Sequence, residues 1–236
     1  MSVSFIIPTF NEKDNILRLI DKIITYAERV TKDYEIVVVD DNSPDQTGSV
    51  CKAYYGNNKK IRVCVRKSDR GFASAICYGI KRAKKDYVLV MDADFSHDPK
   101  LIPVILNKIN KYNVVLASRY IKNGGGENRK RFLLSKIYNA YLNLLLRVNI
   151  SDFLFGYFCI RREYLIKNKL VTKSIFNGFG DYFIRLAYQI NKSGGTFFEI
   201  PAYYKNRTYG VSKSNLINML ITYTITSLQT RFKDFN

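Results

Sequence analysis

The sequence predicts an α/β fold, a mostly parallel sheet covered by helices. Short β-favouring apolar runs recur along its first half, segments of helical period lie between them, and two of the runs end in acidic residues.

Residues 3–7, Val-Ser-Phe-Ile-Ile, form the first expected strand, and Pro8 breaks it. Asn11 is expected to cap a helix in which Ile16, Leu17, Ile20, Ile23, Ile24 and Ala27 recur at helical spacing. Residues 35–39 are a second buried strand, ending in Asp40 and Asp41, and Asn42-Ser43-Pro44-Asp45 supplies turn chemistry. Residues 61–65 are a third. Arg70 and Gly71 then lead into a helix over about 73–83; either its first-turn amides and Arg70 face phosphate, or Gly71 simply turns the chain.

The fourth strand, from Tyr87, ends in Asp92-Ala93-Asp94. Side chains two apart on extended backbone point the same way. Asp92 and Asp94 therefore converge at the strand's carboxyl end, where open α/β sheets place ligands. Paired hard oxygens suit Mg²⁺ or Mn²⁺; the competing reading is that Asp94 caps a helix opened near Pro99. Residues 113–117 close the alternation and deliver Arg119 to the same edge.

Composition excludes several classes. With 47% hydrophobic residues in 236, wholesale disorder is ruled out. The net charge of +18 requires an anionic partner: nucleic acid, an acidic membrane surface or a phosphorylated substrate. Four cysteines without a Cys-x-x-Cys pair, and one histidine, argue against a zinc site or disulfide framework and for a reducing compartment. The N-terminus has no basic leader and reads as a strand, not a signal peptide. No segment approaches the roughly 18 apolar residues of a membrane span, so any membrane contact is expected at the surface. A dinucleotide-binding dehydrogenase is disfavoured, because no Gly-x-Gly-x-x-Gly follows the first strand.

In the second half, Gly124-Gly125-Gly126 breaks the chain before a helix rich in leucine and tyrosine. Its basic residues, Arg129, Lys130, Arg131, Lys136 and Arg147, make it either a core helix or one lying in a lipid headgroup region. Asp181 is read either as a general base or as a structural cap. Residues 196–201 form an edge strand ended by proline, and residues 215–229 a second interfacial helix.

In order and spacing, Pro8-Thr9-Phe10-Asn11-Glu12, the run from Val39 to Thr47, Arg70-Gly71 with Ala75 and Gly79, and the run from Met91 to Pro99 resemble family-two glycosyltransferases of the GT-A fold. Within that family they are similar to the polyprenol-phosphate glycosyltransferase group, from residue 3 to about residue 215. The resemblance implies a single domain: residues 1–120 for nucleotide sugar and metal, 121–215 for the acceptor, and 216–236 an amphipathic helix. It implies that Pro8, Thr9, Glu12, Asp40 and Asp41 line the nucleotide pocket, with Asp40 toward the base. Asp92 and Asp94 would hold the cation that bridges the donor's diphosphate, with Ser96, where some relatives carry Gln, as a third ligand. Arg70, Arg207 and Lys213 would meet the donor phosphates. Arg131 and Ser135 match the element beside the acceptor phosphate, helix 131–147 matches the family's interface helix, and Phe155 stands where Ser is common.

A phosphate monoester, with its second ionisation near pKa ~6, is already a nucleophile at neutral pH and needs no general base. It needs positioning against the donor's diphosphate, a role that falls to the guanidinium forks of Arg119 and Arg131. Asp94, Arg119 and Arg131 would carry catalysis, and direct displacement inverts the sugar. The expectation is a peripheral enzyme on the cytoplasmic face of a membrane, moving mannose from GDP-mannose to dolichyl or polyprenyl phosphate, with a partner subunit left open. The alternatives are the same chemistry with UDP-glucose, or transfer to a glycan hydroxyl with Asp181 as base. A basic nucleic-acid binder is a further class, opposed by the lack of any such motif and by acidic strand ends that repel a polyanion.

Overall fold

The computed structural model describes residues 1–204 and 216–232. β1 (Val3–Thr9), β2 (Tyr34–Asp40), β3 (Ile61–Val65) and β4 (Tyr87–Val90) alternate with α1 (Lys13–Ala27), α2 (Thr47–Tyr55) and α3 (Phe72–Arg82). A 3-10 turn (Pro99–Leu101) and α4 (Ile102–Ile109) lead to β5 (Val114–Ser118), the two-residue β6 (Gly125–Gly126) and α5 (Arg129–Leu146). Then come β7 (Phe158–Arg161), α6 (Arg162–Lys167), α7 (Tyr182–Lys192), β8 (Phe197–Pro201), β9 (Tyr203–Tyr204) and α8 (Leu216–Phe232).

The main sheet has seven strands in the order β3-β2-β1-β4-β7-β5-β8. Every pairing in it is parallel except those of β7, which runs antiparallel between β4 and β5, with Leu89 opposite Cys159 and Cys159 opposite Val115. The expected edge strand is present as β8, and it pairs only with β5.

Strict alternation divides the core between the two faces of the sheet. Ile6, Val37, Val88 and Phe158 pack with α3 and α7, whereas Phe5, Ile7, Val38, Leu89 and Cys159 pack with α1 and α4. Gly79 lets α3 sit close on β1: a Cβ there would lie 2.4 Å from Cγ2 of Ile6.

Two local expectations need correction. Asn11 does not cap α1. It adopts a left-handed φ of 60° and donates its backbone N–H to Ser43 Oγ, while Glu12 takes the cap position. The need to close β1's exit onto the 40–47 loop outweighs local capping preference. Asp94 does not cap the turn at Pro99 either; Asp98 does, accepting from the Lys100 amide.

The leucine-rich helix is not a core helix along its length. α5 buries Asn139, Leu142 and Leu146 but exposes Leu133, Leu134, Ile137, Tyr141 and Leu144, the last at 81%. Against it packs α8, which buries Tyr223 and Thr226 and exposes Ile221, Ile225, Leu228 and Phe232. No described helix is long and apolar enough to cross a membrane.

Candidate active site

A cavity of about 1090 Å³ opens at the carboxyl ends of the central strands. Its wall gathers residues from opposite ends of the chain: Thr9 at the end of β1, Asp41 after β2, Asp92 and Asp94 after β4, Arg119 after β5 and Tyr223 from α8. Parallel strands leave the sheet on one edge, so their following loops meet there.

Of the residues the resemblance assigns to the donor, Pro8, Thr9, Glu12, Asp41 and Arg70 line this cavity. Asp40 does not. It is 2% exposed and accepts from Thr9 Oγ1 (3.2 Å), the Ser43 amide (3.1 Å) and the Ser43 hydroxyl. Its charge is spent on shaping the 40–47 loop, so Asp41 is the acidic wall of the pocket.

Asp41 is held in turn by Arg66, whose Nε donates to Oδ1 at 2.7 Å, and by the Gly71 amide, which donates to Oδ2 at 2.7 Å. Arg66 is buried and also donates to the carbonyls of Asp69 and Gly71, so this ion pair builds the loop that carries Arg70. Gly71 sits at φ 139°, a conformation that excludes a β-carbon. Nothing in the sequence singles out Arg66; its burial reveals the role.

Asp92, Asp94 and Ser96 all line the cavity. Asp94 is buried and accepts the Ser96 amide at 3.0 Å, closing a tight turn in which Phe95 takes a φ of 63°. A bulky residue at positive φ is strained backbone, held by its surroundings. Among the described residues no cluster of three His, Cys, Asp or Glu forms a complete metal cage. Two cavity-facing carboxylates with a nearby hydroxyl instead fit Mg²⁺ or Mn²⁺, which takes one or two protein carboxylates and completes its shell with water and substrate phosphate.

Arg119, Arg131 and Ser135 reach the same cavity. Arg119 donates from Nε and Nη2 to the two carboxylate oxygens of Asp152 at 2.7 and 2.8 Å. Burial alone would lower the Arg119 pKa, but the adjoining Asp152 carboxylate turns the net shift upward. Asp152 is wholly buried, and nothing in the sequence assigned it a role. A guanidinium has five N–H donors, so Arg119 keeps donors for a ligand while its orientation is fixed.

Ser135 Oγ donates to the Arg131 carbonyl at 2.8 Å and meets the Tyr120 hydroxyl, whose pKa burial pushes up. Tyr120 stays protonated and supplies the donor to Ser135. Arg131 itself is exposed at the start of α5.

Asp181 ends outside α7, at its N-cap position, and is 2% exposed. Arg185 Nη1 donates to it at 2.8 Å, and Thr226 of α8 donates at 3.1 Å. The carboxylate thus fastens α8 to the loop carrying Phe179 and Gly180, both on the cavity wall. Arg207 and Lys213 lie outside the described residues.

The sequence matches the family described as Glycosyl transferase family 2 over residues 4–168. It is 38% identical over 169 residues to a dolichol-phosphate mannosyltransferase of Pyrococcus furiosus, an alignment covering 69% of this chain and 47% of that protein. With a polyprenol monophosphomannose synthase of Mycolicibacterium smegmatis it shares 32% identity over 222 residues, 91% of this chain and 81% of the relative. A dolichol-phosphate mannosyltransferase of Saccharomyces cerevisiae is 28% identical, over 69% of the chain and 61% of the yeast protein. The chain therefore spans about half the length of the archaeal relative and under two thirds of the yeast one. Its fold matches crystal structures of glucosyl-3-phosphoglycerate synthase from Mycobacterium tuberculosis. The one in complex with Mn²⁺, UDP and glucosyl-3-phosphoglycerate has a TM-score of 0.68 at 18% identity, covering 98% of this chain and 79% of the other.

Proposed function

The chain belongs to glycosyl transferase family 2, and on that premise we propose that it is an inverting transferase moving mannose from GDP-mannose to dolichyl or another polyprenyl phosphate at a membrane surface. The observation that carries this reading is one cavity shared by Asp92 and Asp94, suited to a metal-diphosphate donor, and by Arg119, Arg131 and Ser135, suited to a second phosphate. The names of the three relatives agree with it.

When bound at Asp92, Asp94 and Ser96, Mg²⁺ or Mn²⁺ supplies Lewis-acid stabilisation of the departing diphosphate. Asp41 and the loop it shares with Arg66 wall the nucleotide, and Arg207 and Lys213 are proposed as further donor-phosphate ligands. Arg119 and Arg131 offset the repulsion between the acceptor phosphate and the donor's diphosphate, and Ser135 lies beside the acceptor phosphate. The acceptor oxygen is ionised at neutral pH and needs no base. Asp181 is accordingly free to be structural, as its bonds to Arg185 and Thr226 favour. Attack at C1 of an α-linked donor gives a β-linked lipid-phosphate sugar.

The exposed apolar side chains of α5 and α8, beside exposed Lys130, Lys136 and Arg147, support peripheral attachment to an anionic cytoplasmic leaflet. The net charge of +18 works in the same direction.

The test is purified protein with Mg²⁺ or Mn²⁺ and dolichyl phosphate in detergent, offered GDP-mannose and UDP-glucose separately. Lipid-linked mannose is the expected product. Product from UDP-glucose alone replaces the sugar; turnover of neither, with nucleoside diphosphate still bound, overturns the lipid phosphate as acceptor.

A further inference from the structure

The chain's one histidine is among its most buried polar residues. His97 has a side chain 2% exposed, and both ring nitrogens are engaged. Nδ1 accepts the Asp92 amide at 2.9 Å, and Nε2 lies 2.7 Å from the Phe155 carbonyl oxygen. An amide donor on one side and a carbonyl acceptor on the other fix the neutral ring with its proton on Nε2. The ring stacks on Tyr157 at 4.9 Å and meets the edge of Phe155 at 4.7 Å.

The ladder explains why this matters. β4 last bonds to β1 through the Met91 amide, which donates to the Ile6 carbonyl at 3.3 Å. The next amide, that of Asp92, meets no strand and donates to His97 instead, so the imidazole takes the place of a missing rung. Across the ring, Phe155 belongs to the segment in which Asp152 holds Arg119. Resting on the reading that Asp92 and Asp94 hold a divalent cation, we propose that His97 is a positioning residue joining the metal-binding loop to the wall that orients Arg119. Because both nitrogens are committed, it is not itself a metal ligand. A Phe or Leu would fill the space but leave an amide and a carbonyl unpaired.

Two measurements test this. In untagged protein the imidazole gives one set of ¹⁵N signals, so the wild type can be read directly. The expected spectrum is the neutral Nε2–H tautomer with a slowly exchanging proton, and its shifts move on saturation with Mg²⁺ and GDP. A ring in the other tautomer, or one unmoved by saturating Mg²⁺ and GDP, overturns the proposal.

Variants then separate the two bonds. In His97→Asn the side-chain oxygen stands near Nδ1 and keeps the Asp92 amide. In His97→Gln the amide group reaches toward Nε2 and keeps Phe155. Mn²⁺ affinity in the presence of GDP, measured by calorimetry, is expected to stay within about threefold in the Asn variant and to fall about tenfold in the Gln variant, some 1.4 kcal/mol. KM for dolichyl phosphate is expected to rise more in the Asn variant. Folded variants with equal, undiminished Mn²⁺ affinity reduce His97 to filler and overturn the proposal alone. A wild-type protein that binds GDP with no dependence on Mn²⁺ overturns the metal reading of the site as well.

Discussion

Arg119 and Asp152 meet edge to edge, with Nε–Oδ2 at 2.7 Å and Nη2–Oδ1 at 2.8 Å, and the carboxylate is wholly buried. Removing one partner of such a pair strands a buried charge, at a cost of about 3–5 kcal/mol. Asp152→Ala is expected to lower the unfolding free energy by about that much in urea titrations. The double variant Arg119→Met/Asp152→Leu should recover much of it while remaining inactive. A double variant no more stable than Asp152→Ala would show that packing, not the stranded charge, dominates.

Asp94 lines the cavity and accepts the Ser96 amide within its turn. Asp94→Ala is expected to cut the proposed mannosyl transfer by at least ~100-fold, about 2.7 kcal/mol of barrier. Near-wild-type transfer by this variant, or by wild type in excess chelator, would refute the metal assignment.

Gly79 tests the packing of α3 on β1. Gly79→Ala puts a methyl carbon 2.4 Å from Cγ2 of Ile6, a stiff β-branched side chain inside the sheet. Overpacking of this kind costs about 1–3 kcal/mol. The melting temperature should fall, while activity per folded molecule stays close to normal.

Glu199 sets a pH dependence of stability. Burial pushes its carboxyl above the ordinary value of 4.5, although the Ser151 amide and hydroxyl hydrogen-bond to it. The native state therefore holds this proton more tightly than the unfolded chain. Its contribution to stability falls as pH rises from 4.5 through the raised native value and is flat above it. Glu199→Gln should flatten the stability profile in that window; an unchanged slope would assign it to other groups.

The apolar face of α5 gives a membrane test. Leu144 is 81% exposed and Ile137 60%, so replacing both with Glu removes apolar surface without opening the core. The double variant should lose most of its binding to anionic vesicles and keep its melting temperature. Undiminished binding would move the anchor to α8.

The first half of the chain was readable because its signals are local. Alternating apolar runs named β1 to β5, and carboxylates at the ends of β2 and β4 marked the cavity edge before any coordinates existed. What escaped the sequence was pairing at a distance. Arg66 answers Asp41 across 25 positions, Arg119 answers Asp152 across 33, and His97 answers Phe155 across 58. In each case the sequence left one partner without a role: Arg66, Asp152 and His97. Asp40 and Asp41, adjacent and alike in sequence, were separated only by which one the Thr9 and Ser43 hydroxyls claimed.

The reversed strand β7 also bears on how the molecule comes into being. β1 to β4 form one ladder and β5 with β8 another, and among the described residues no strand but β7 bonds to both. Its rungs join residues far apart, Leu89 to Cys159 among them, and such closures are slow because the intervening loop must be ordered first. Until that step, two unpaired strand edges face each other with the carboxylates of Asp92 and Asp94 on one bank and Arg119 on the other. A polypeptide halted before residue 158 would carry Asp92, Asp94 and Arg119 without the strand that brings their two banks together.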